Sequence, residues 1–179
     1  MQTGLALALV SPDGERTFAT NLGAAITLSA DNIGQSLFEG CEYLHIEGYL
    51  ISNHDLFEKI ITCGRQAGCK ISIDLASYNV VEENLDYLKR VCKGVHIIFA
   101  NEEEAKAFSG KEAEEALEYI AQYADIAVVK VGAKGSLISS QGKVVKVGET
   151  LRNKIDTTGA GDLYAGGFLA GLCMDKDLS

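Results

Sequence analysis

The chain has 179 residues, of which 47% are hydrophobic and 23% are charged. A chain of this length can bury one sizeable core, and the composition excludes an intrinsically disordered protein. The net charge of -9 argues against a general nucleic-acid binder, because such proteins present a basic face to phosphates. A small anionic ligand is compatible with the acidic balance, because local N–H groups can bind it.

The cysteine pattern bears on the compartment of the protein. The chain has an odd number of cysteines and no C-x-x-C pair, which favours reduced thiols over a disulfide framework. The cysteines are Cys41, Cys63, Cys69, Cys92 and Cys173. The amino terminus lacks a basic segment followed by an apolar core, and no apolar run reaches about 18 residues. We therefore predict a cytoplasmic protein that makes no contact with a membrane.

The chain is predicted to open with a β-hairpin. Apolar residues favour a strand over 4–10, and residues 15–20 are predicted to return as its partner. The Ser-Pro-Asp-Gly sequence at 11–14 is typical of the turn that such a pair needs. Ser29 or Asp31 would then cap a short helix that extends to about residue 39.

Strands and helices alternate through the middle of the chain. Asn53 is suited to cap a helix through Gln66, and Gly68 is suited to end it. The strands are predicted at 43–46, 70–75, 95–100 and 126–131, and the further helices at 83–92, 102–108 and 111–123. Residues 135–140 and 143–147 are predicted to form a second hairpin, and a helix is predicted from Ala160.

This order of elements predicts an α/β fold. Strands separated by helices favour a three-layer αβα arrangement with a mainly parallel sheet, to which the two hairpins are antiparallel additions. In open sheets of this kind, ligands bind beyond the carboxyl ends of the strands. Asp74, Asn101 and the loop at 156–162 all fall at such ends. We therefore predict that these three segments share one site.

The loop at 156–162 is the strongest functional signal in the sequence. It reads Asp-Thr-Thr-Gly-Ala-Gly-Asp and leads into an apolar, helical run. Small residues allow the backbone to approach a ligand closely, and the first N–H groups of a helix bind anions. A carboxylate among these donors would repel an anion, yet it suits a base that deprotonates a nucleophile beside a phosphate. The alternative is a turn followed by a helix cap.

The same run resembles the carboxyl-terminal signature of the ribokinase-like (PfkB) carbohydrate and nucleoside kinases. Four other segments occur in the family's order, and the resemblance covers essentially the whole chain. They are 12–17 with 21–25, similar to the family's lid, and 74–79, 101–104 and 129–135. The resemblance implies one ribokinase-like domain over 1–179, with lid strands in 1–25 and the core in 26–179. We expect the family's amino-terminal and carboxyl-terminal parts to lie outside this chain.

The resemblance also implies roles for individual residues. Asp162 would be the catalytic base, and the backbone N–H groups of Gly159, Ala160 and Gly161 would bind charge in the transition state. Residues that would contact the nucleotide are Lys130, Gly132, Gly135 and Asn101. Read from the residues alone, Lys130 could instead be an ordinary surface lysine.

Metal ligands are implied in the same way. Asn101 and Glu104 match an N-x-x-E motif that acts on Mg²⁺ through water, although Glu104 could instead be a solvated helix charge. Asp156 and Thr158 match a monovalent-cation loop of some members, so K⁺ is an open expectation. Asp74 could be a substrate-side acid or a structural one.

The resemblance implies an ATP- and Mg²⁺-dependent phosphotransferase that phosphorylates a hydroxyl of a sugar or nucleoside. The alternatives are a non-catalytic ligand-binding or regulatory protein of the same fold, and an inactive fragment of a kinase. Ribose, fructose, ketodeoxygluconate and adenosine all remain open as substrates. A homodimer through the lid hairpin is a further expectation.

Overall fold

The computed structural model describes residues 1–11, 16–148 and 157–178. Its first element is an antiparallel pair of strands, β1 (Leu5–Val10) and β2 (Arg16–Asn21), which forms a separate two-stranded sheet. Leu5 pairs with Asn21 and Val10 with Arg16, so the predicted hairpin is confirmed. Most of its predicted turn lies outside the described residues.

The helix predicted near residues 29–39 is wrong. Two short 3₁₀ helices occupy this region, Ala30–Asn32 and Gln35–Phe38, and a third precedes it at Gly23–Thr27. The backbone is extended at Ile33 (φ -104°, ψ 117°) and at Gly34 (φ -121°, ψ 156°), which interrupts any continuous helix. A polar side chain contributes to this interruption, because Asn32 Oδ1 accepts a hydrogen bond from the Ser29 amide at 2.9 Å.

The main sheet has six strands, which lie side by side in chain order. They are β3 (Tyr43–Glu47), β4 (Lys70–Asp74), β5 (Val95–Asn101), β6 (Ala124–Lys130), β7 (Ser136–Ser140) and β8 (Lys143–Val147). The first four are parallel to one another, whereas β7 and β8 are antiparallel additions. The predicted mainly parallel sheet and its second hairpin are therefore confirmed.

Helices cover both faces of this sheet. They are α1 (His54–Gln66), α2 (Tyr78–Glu83), α3 (Leu85–Val91), α4 (Glu102–Ser109), α5 (Ala113–Ile120) and α6 (Ala160–Cys173). Because β3 to β6 follow one another in the same direction, right-handed crossovers place α1 to α5 on a single face. None of the helices in the described residues is long and apolar enough to cross a membrane.

The alternation of side chains along β5 separates the two faces. Ile98 and Ala100 pack with α1 to α5, whereas Ile97 and Phe99 pack with α6. The Phe168 ring of α6 meets the Phe99 ring edge-to-face at 5.3 Å between centroids. These contacts confirm the three-layer αβα arrangement and place α6 on the second face of the sheet.

The helix predicted at 83–92 is confirmed as α3, which begins at Leu85 and ends at Val91, whereas the preceding helix, α2, was not predicted. Between them, Asn84 leaves helical geometry (φ -124°, ψ 23°), and its side-chain amide donates to the Val80 carbonyl at 3.0 Å. Such side-chain bonds compete with the backbone ladder of a helix.

Candidate active site

Four polar side chains lie at the carboxyl edge of the parallel strands. Glu47, Asp74, Asn101 and Lys130 are the last residues of β3, β4, β5 and β6, respectively. The strand register places Glu47 beside Asp74 and Asn101 beside Lys130. The prediction that Asp74 and Asn101 share an edge is therefore confirmed. Glu47 and Lys130 complete a row of charged and polar groups there.

Asp74 and Lys130 form an ion pair at the centre of this edge. Lys130 Nζ lies 2.7 Å from Asp74 Oδ2, and the two side chains are only 18% and 9% exposed. The other oxygen of Asp74 accepts a hydrogen bond from the Ala76 amide at 3.0 Å. A β-carbon placed on Gly161 would lie 3.4 Å from Lys130 Nζ. Lys130 therefore links the sheet edge to the first turn of α6.

The first turn of α6 presents both donors and an acid. Gly159 caps the helix in the left-handed region (φ 72°, ψ 8°), which glycine adopts without strain. The Ala160 amide donates to the Thr157 carbonyl at 3.1 Å, so this expected anion-binding donor is engaged within the loop. The amides of Gly161 and Asp162 have no acceptor among the described residues, as expected for the start of a helix.

The carboxylate of Asp162 is available for chemistry. Its side chain is exposed, and it makes no hydrogen bond or ion pair with any residue in the described part of the chain. It stands in the first turn of α6, where the helix dipole stabilises a negative charge. The arrangement leaves the carboxylate free to accept a proton beside amides that can bind an anion.

Asn101 and Glu104 form a capping box at the start of α4. The Asn101 amide and side-chain Nδ2 donate to the two oxygens of Glu104 at 2.8 and 2.7 Å, respectively. In return, the Glu104 amide donates to Asn101 Oδ1 at 2.8 Å. Glu104 is only 3% exposed, so the alternative of a solvated helix charge is wrong.

Burial changes the acidity of Glu104. It raises the pKa of this carboxyl from 4.5 to about 7; the hydrogen bond from the Asn101 backbone opposes the shift, and the nearby charge of Asp74 adds to it. The folded protein therefore binds more protons than the unfolded chain between pH 4.5 and 7.

We expect the free energy of unfolding to fall as the pH rises from about 4.5 to 7, because Glu104 must ionise while buried. Above that window, this contribution should be constant. Urea unfolding at a series of pH values, in EDTA, measures the effect. Glu104→Gln should flatten the profile, whereas Glu102→Gln, at an exposed position in the same helical turn, should leave it unchanged. A profile that keeps its slope in Glu104→Gln would contradict the assignment.

The predicted nucleotide-contacting turn follows directly after Lys130. Gly132 and Gly135 both lie in the left-handed region, with φ of 55° and 93°. The turn is closed by a hydrogen bond from the Val131 amide to the Gly135 carbonyl at 2.9 Å. These glycines therefore lie at the same end of the sheet as Lys130 and Asn101.

The structure describes both residues of the expected Mg²⁺ site but only one residue of the expected K⁺ site. No group of three or more His, Cys, Asp or Glu side chains could hold a metal ion among the described residues. Mg²⁺, however, is usually bound by one or two carboxylates together with waters and substrate phosphates. The Glu104 oxygens each accept one bond and retain further lone pairs, which fits a contact through water. For K⁺, Asp156 lies outside the described residues, and Thr158 is exposed.

Glu47 and Tyr49 were not singled out from the sequence, although both lie at this edge. A hydrogen bond with His45 lowers the pKa of Glu47, and the charge of Lys130 acts in the same direction. The Tyr49 hydroxyl donates to the Ala76 carbonyl at 3.2 Å, beside Asp74. The carboxyl-end rule could have found Glu47, because it directly follows the predicted strand at 43–46.

The fold and site together define an α/β protein with a ribokinase-like arrangement and a row of charged and polar groups at the carboxyl edge of its sheet. The model of the pfkB family of carbohydrate kinases matches residues 1–179, and the chain belongs to this family.

Known relatives include nucleoside and sugar kinases. The adenosine kinase of Saccharomyces cerevisiae is 31% identical over 98% of this chain and 56% of its own length. The crystal structure of an adenosine kinase from Sinorhizobium meliloti is 30% identical, with a TM-score of 0.86 over 98% of this chain and 56% of that one. A provisionally assigned Ribokinase II from E. coli, in complex with ATP and Mg²⁺, is 26% identical, with a TM-score of 0.83 over 97% and 59%. The chain thus spans little more than half the length of these relatives.

Proposed function

We propose that the chain carries the phosphoryl-transfer site of an ATP-dependent kinase acting on a hydroxyl of a sugar or nucleoside. The observation that carries the proposal is the first turn of α6. There, Asp162 follows Gly161, which lies close to the Lys130 ammonium, and neither its carboxylate nor the amides of Gly161 and Asp162 have a partner among the described residues. The kinase relatives and the E. coli complex with ATP and Mg²⁺ support it.

In the proposed reaction, Asp162 accepts the proton of the substrate hydroxyl. The hydroxyl oxygen attacks the γ-phosphorus of ATP, the bond from that phosphorus to the bridging oxygen breaks, and ADP leaves. The amides of Gly159, Gly161 and Asp162 would bind the charge that develops on the transferred group, with Ala160 joining them if its bond to Thr157 opens. Removing one such donor typically costs about 10²–10³-fold in rate.

The nucleotide would bind along the carboxyl edge of the sheet. Lys130 supplies a positive charge for its phosphates, and the turn between Gly132 and Gly135 lies directly beyond it. Asn101 and Glu104 would hold Mg²⁺ through water, and the ion would supply charge neutralisation of the phosphates. A K⁺ site at Asp156 and Thr158 is not tested by the described residues and stays a prediction.

The test of this proposal is ADP release from Mg·ATP with a panel of sugars and nucleosides. We expect turnover to depend on one member of the panel and to stop when EDTA removes Mg²⁺. Calorimetric titration of Mg·ATP tests nucleotide binding separately from chemistry. Binding without turnover would favour a non-catalytic protein or an inactive part of a kinase. If neither binding nor turnover occurred, the proposed function would be wrong.

A homodimer through the hairpin of β1 and β2 is part of the proposal. Leu5, Leu7 and Leu9 alternate along β1 and therefore share one face, and each is more than half exposed. A two-stranded sheet whose outer edges are free and whose face bears exposed leucines favours association with a second copy. We also propose a cytoplasmic location, because the five cysteines are free thiols.

A further inference from the structure

The Asp74–Lys130 pair differs from the other ion pairs in the described residues. In each of the others, the two side chains are at least 24% exposed, and surface pairs of that kind contribute little to stability. Asp74 and Lys130 are both less than 20% exposed, and their charged atoms are 2.7 Å apart. A charge-assisted hydrogen bond with so little solvent around it holds its donor in one place.

The carboxylate of Asp74 is itself fixed. Its second oxygen accepts from the Ala76 amide, which closes a tight turn at the end of β4. Ala76 lies in the left-handed region (φ 67°), which residues other than glycine adopt only when their surroundings require it. The Tyr49 hydroxyl holds the same turn through the Ala76 carbonyl. The turn therefore gives Asp74 a defined position from which to hold an ammonium.

Lys130 has a second carboxylate nearby. Its Nζ lies close to Gly161, and the next residue is Asp162, whose side chain has no partner among the described residues. A lysine side chain is a flexible stem with a compact charge at its end, so a released ammonium could turn toward Asp162. An ion pair there would favour the ionised carboxylate and make it a weaker proton acceptor.

We infer that Asp74 is a positioning residue: it holds the Lys130 ammonium toward the bound phosphates and keeps it from pairing with Asp162. The kinetic consequence of this inference rests on the proposed function. The restraint that the Asp74 ion pair places on Lys130 can be measured without catalysis. Asp74 touches neither phosphate nor hydroxyl in this role and acts only through Lys130.

A double-mutant cycle tests the kinetic consequence. Asp74→Asn keeps an oxygen for the Ala76 amide and should lower kcat/KM for ATP by about tenfold, with a fall in kcat as well as a rise in KM. Lys130→Met should cause a loss at least as large. In the Lys130→Met background, Asp74→Asn should change kcat/KM by less than about twofold. A purely structural role of Asp74 would instead lower activity further in that background. Glu42→Gln is the matched control, because it removes a carboxylate from an exposed lysine pair at the opposite end of the strands.

Amine acetylation followed by mass spectrometry tests the hold directly. The rate of modification of Lys130, relative to the exposed Lys134, should rise about tenfold in Asp74→Asn, the factor for losing one charge-assisted hydrogen bond. Asp74→Glu keeps the charge and should retain part of the protection, so it serves if Asp74→Asn does not fold. Unchanged acetylation of Lys130 in both variants, or additive kinetic losses in the cycle, would overturn the inference. Absence of nucleotide binding and turnover in the wild-type chain would instead count against the proposed function, and the acetylation result would still decide the role of Asp74.

Discussion

Asp162→Asn is expected to lower kcat for phosphoryl transfer by about 10²–10⁴-fold, the range usually lost when a general base is removed. Asparagine has nearly the same shape as aspartate but cannot accept the proton of the substrate hydroxyl. Nucleotide binding should be retained, because the backbone amides of the first turn of α6 are unchanged. Steady-state turnover with the accepted sugar or nucleoside, together with calorimetric titration of Mg·ATP, measures both quantities.

Asp86→Asn is the matched control for this variant. Asp86 is also an exposed acid in the first turn of a helix, α3, so the same substitution removes the same favourable interaction with a helix dipole. It belongs to α3, which packs on the face of the sheet opposite α6, and it should leave kcat unchanged. Equal activity of Asp162→Asn and the wild-type chain would remove Asp162 from the role of base and leave it as a helix cap.

Gly135→Ala is expected to destabilise the protein by about 3–5 kcal/mol. Two costs combine at this position. The backbone has φ 93°, where an L side chain is strained, and the added β-carbon would overlap the Val147 carbonyl oxygen at the end of β8. The carbonyl oxygen is a backbone atom and the β-carbon is bonded directly to the backbone, so no side-chain rotation relieves the overlap. Thermal and urea unfolding measure the loss.

Gly142→Ala separates the two costs. Gly142 lies in the other turn of the same hairpin region, between β7 and β8, with φ 75°, and nothing lies within 4 Å of a β-carbon placed there. It should cost only about 1–2 kcal/mol, the backbone strain alone. If Gly135→Ala were no more destabilising than Gly142→Ala, β8 would have to move away from the turn without penalty, contrary to the packing described.

Elements with strong local signals could be predicted from the sequence. Asn53 caps α1 as expected, with its side chain accepting from the Leu56 amide at 3.1 Å. The placement of Asp74 and Asn101 at one edge followed from the order of strands and helices, because parallel strands bring their carboxyl ends together. The local pattern failed near residues 29–39, where the Asn32 side chain bonds to nearby backbone and short 3₁₀ helices replace the predicted helix.

The long-range features of the site could not be predicted in this way. The Asp74–Lys130 bond joins residues 56 positions apart, and no periodicity in the sequence indicates such a pairing. The burial of Glu104 has a similar origin. The N-x-x-E spacing of Asn101 and Glu104 is apparent in the sequence, but the depth at which Glu104 lies depends on how α4 packs against its neighbours.

The docking of α6 has a consequence for how activity and stability are related. The crossovers place five helices on one face of the sheet, so α6 is the described helix that covers the opposite face. Of its 14 residues only Ala165 is buried, and its attachment relies on ring contacts with Phe99 and on a 2.7 Å hydrogen bond from the Tyr164 hydroxyl to Ser136 Oγ. The opposite layer buries much more apolar surface. Partial opening should therefore release α6 first, and Asp162 would leave the carboxyl edge while most of the sheet remains folded.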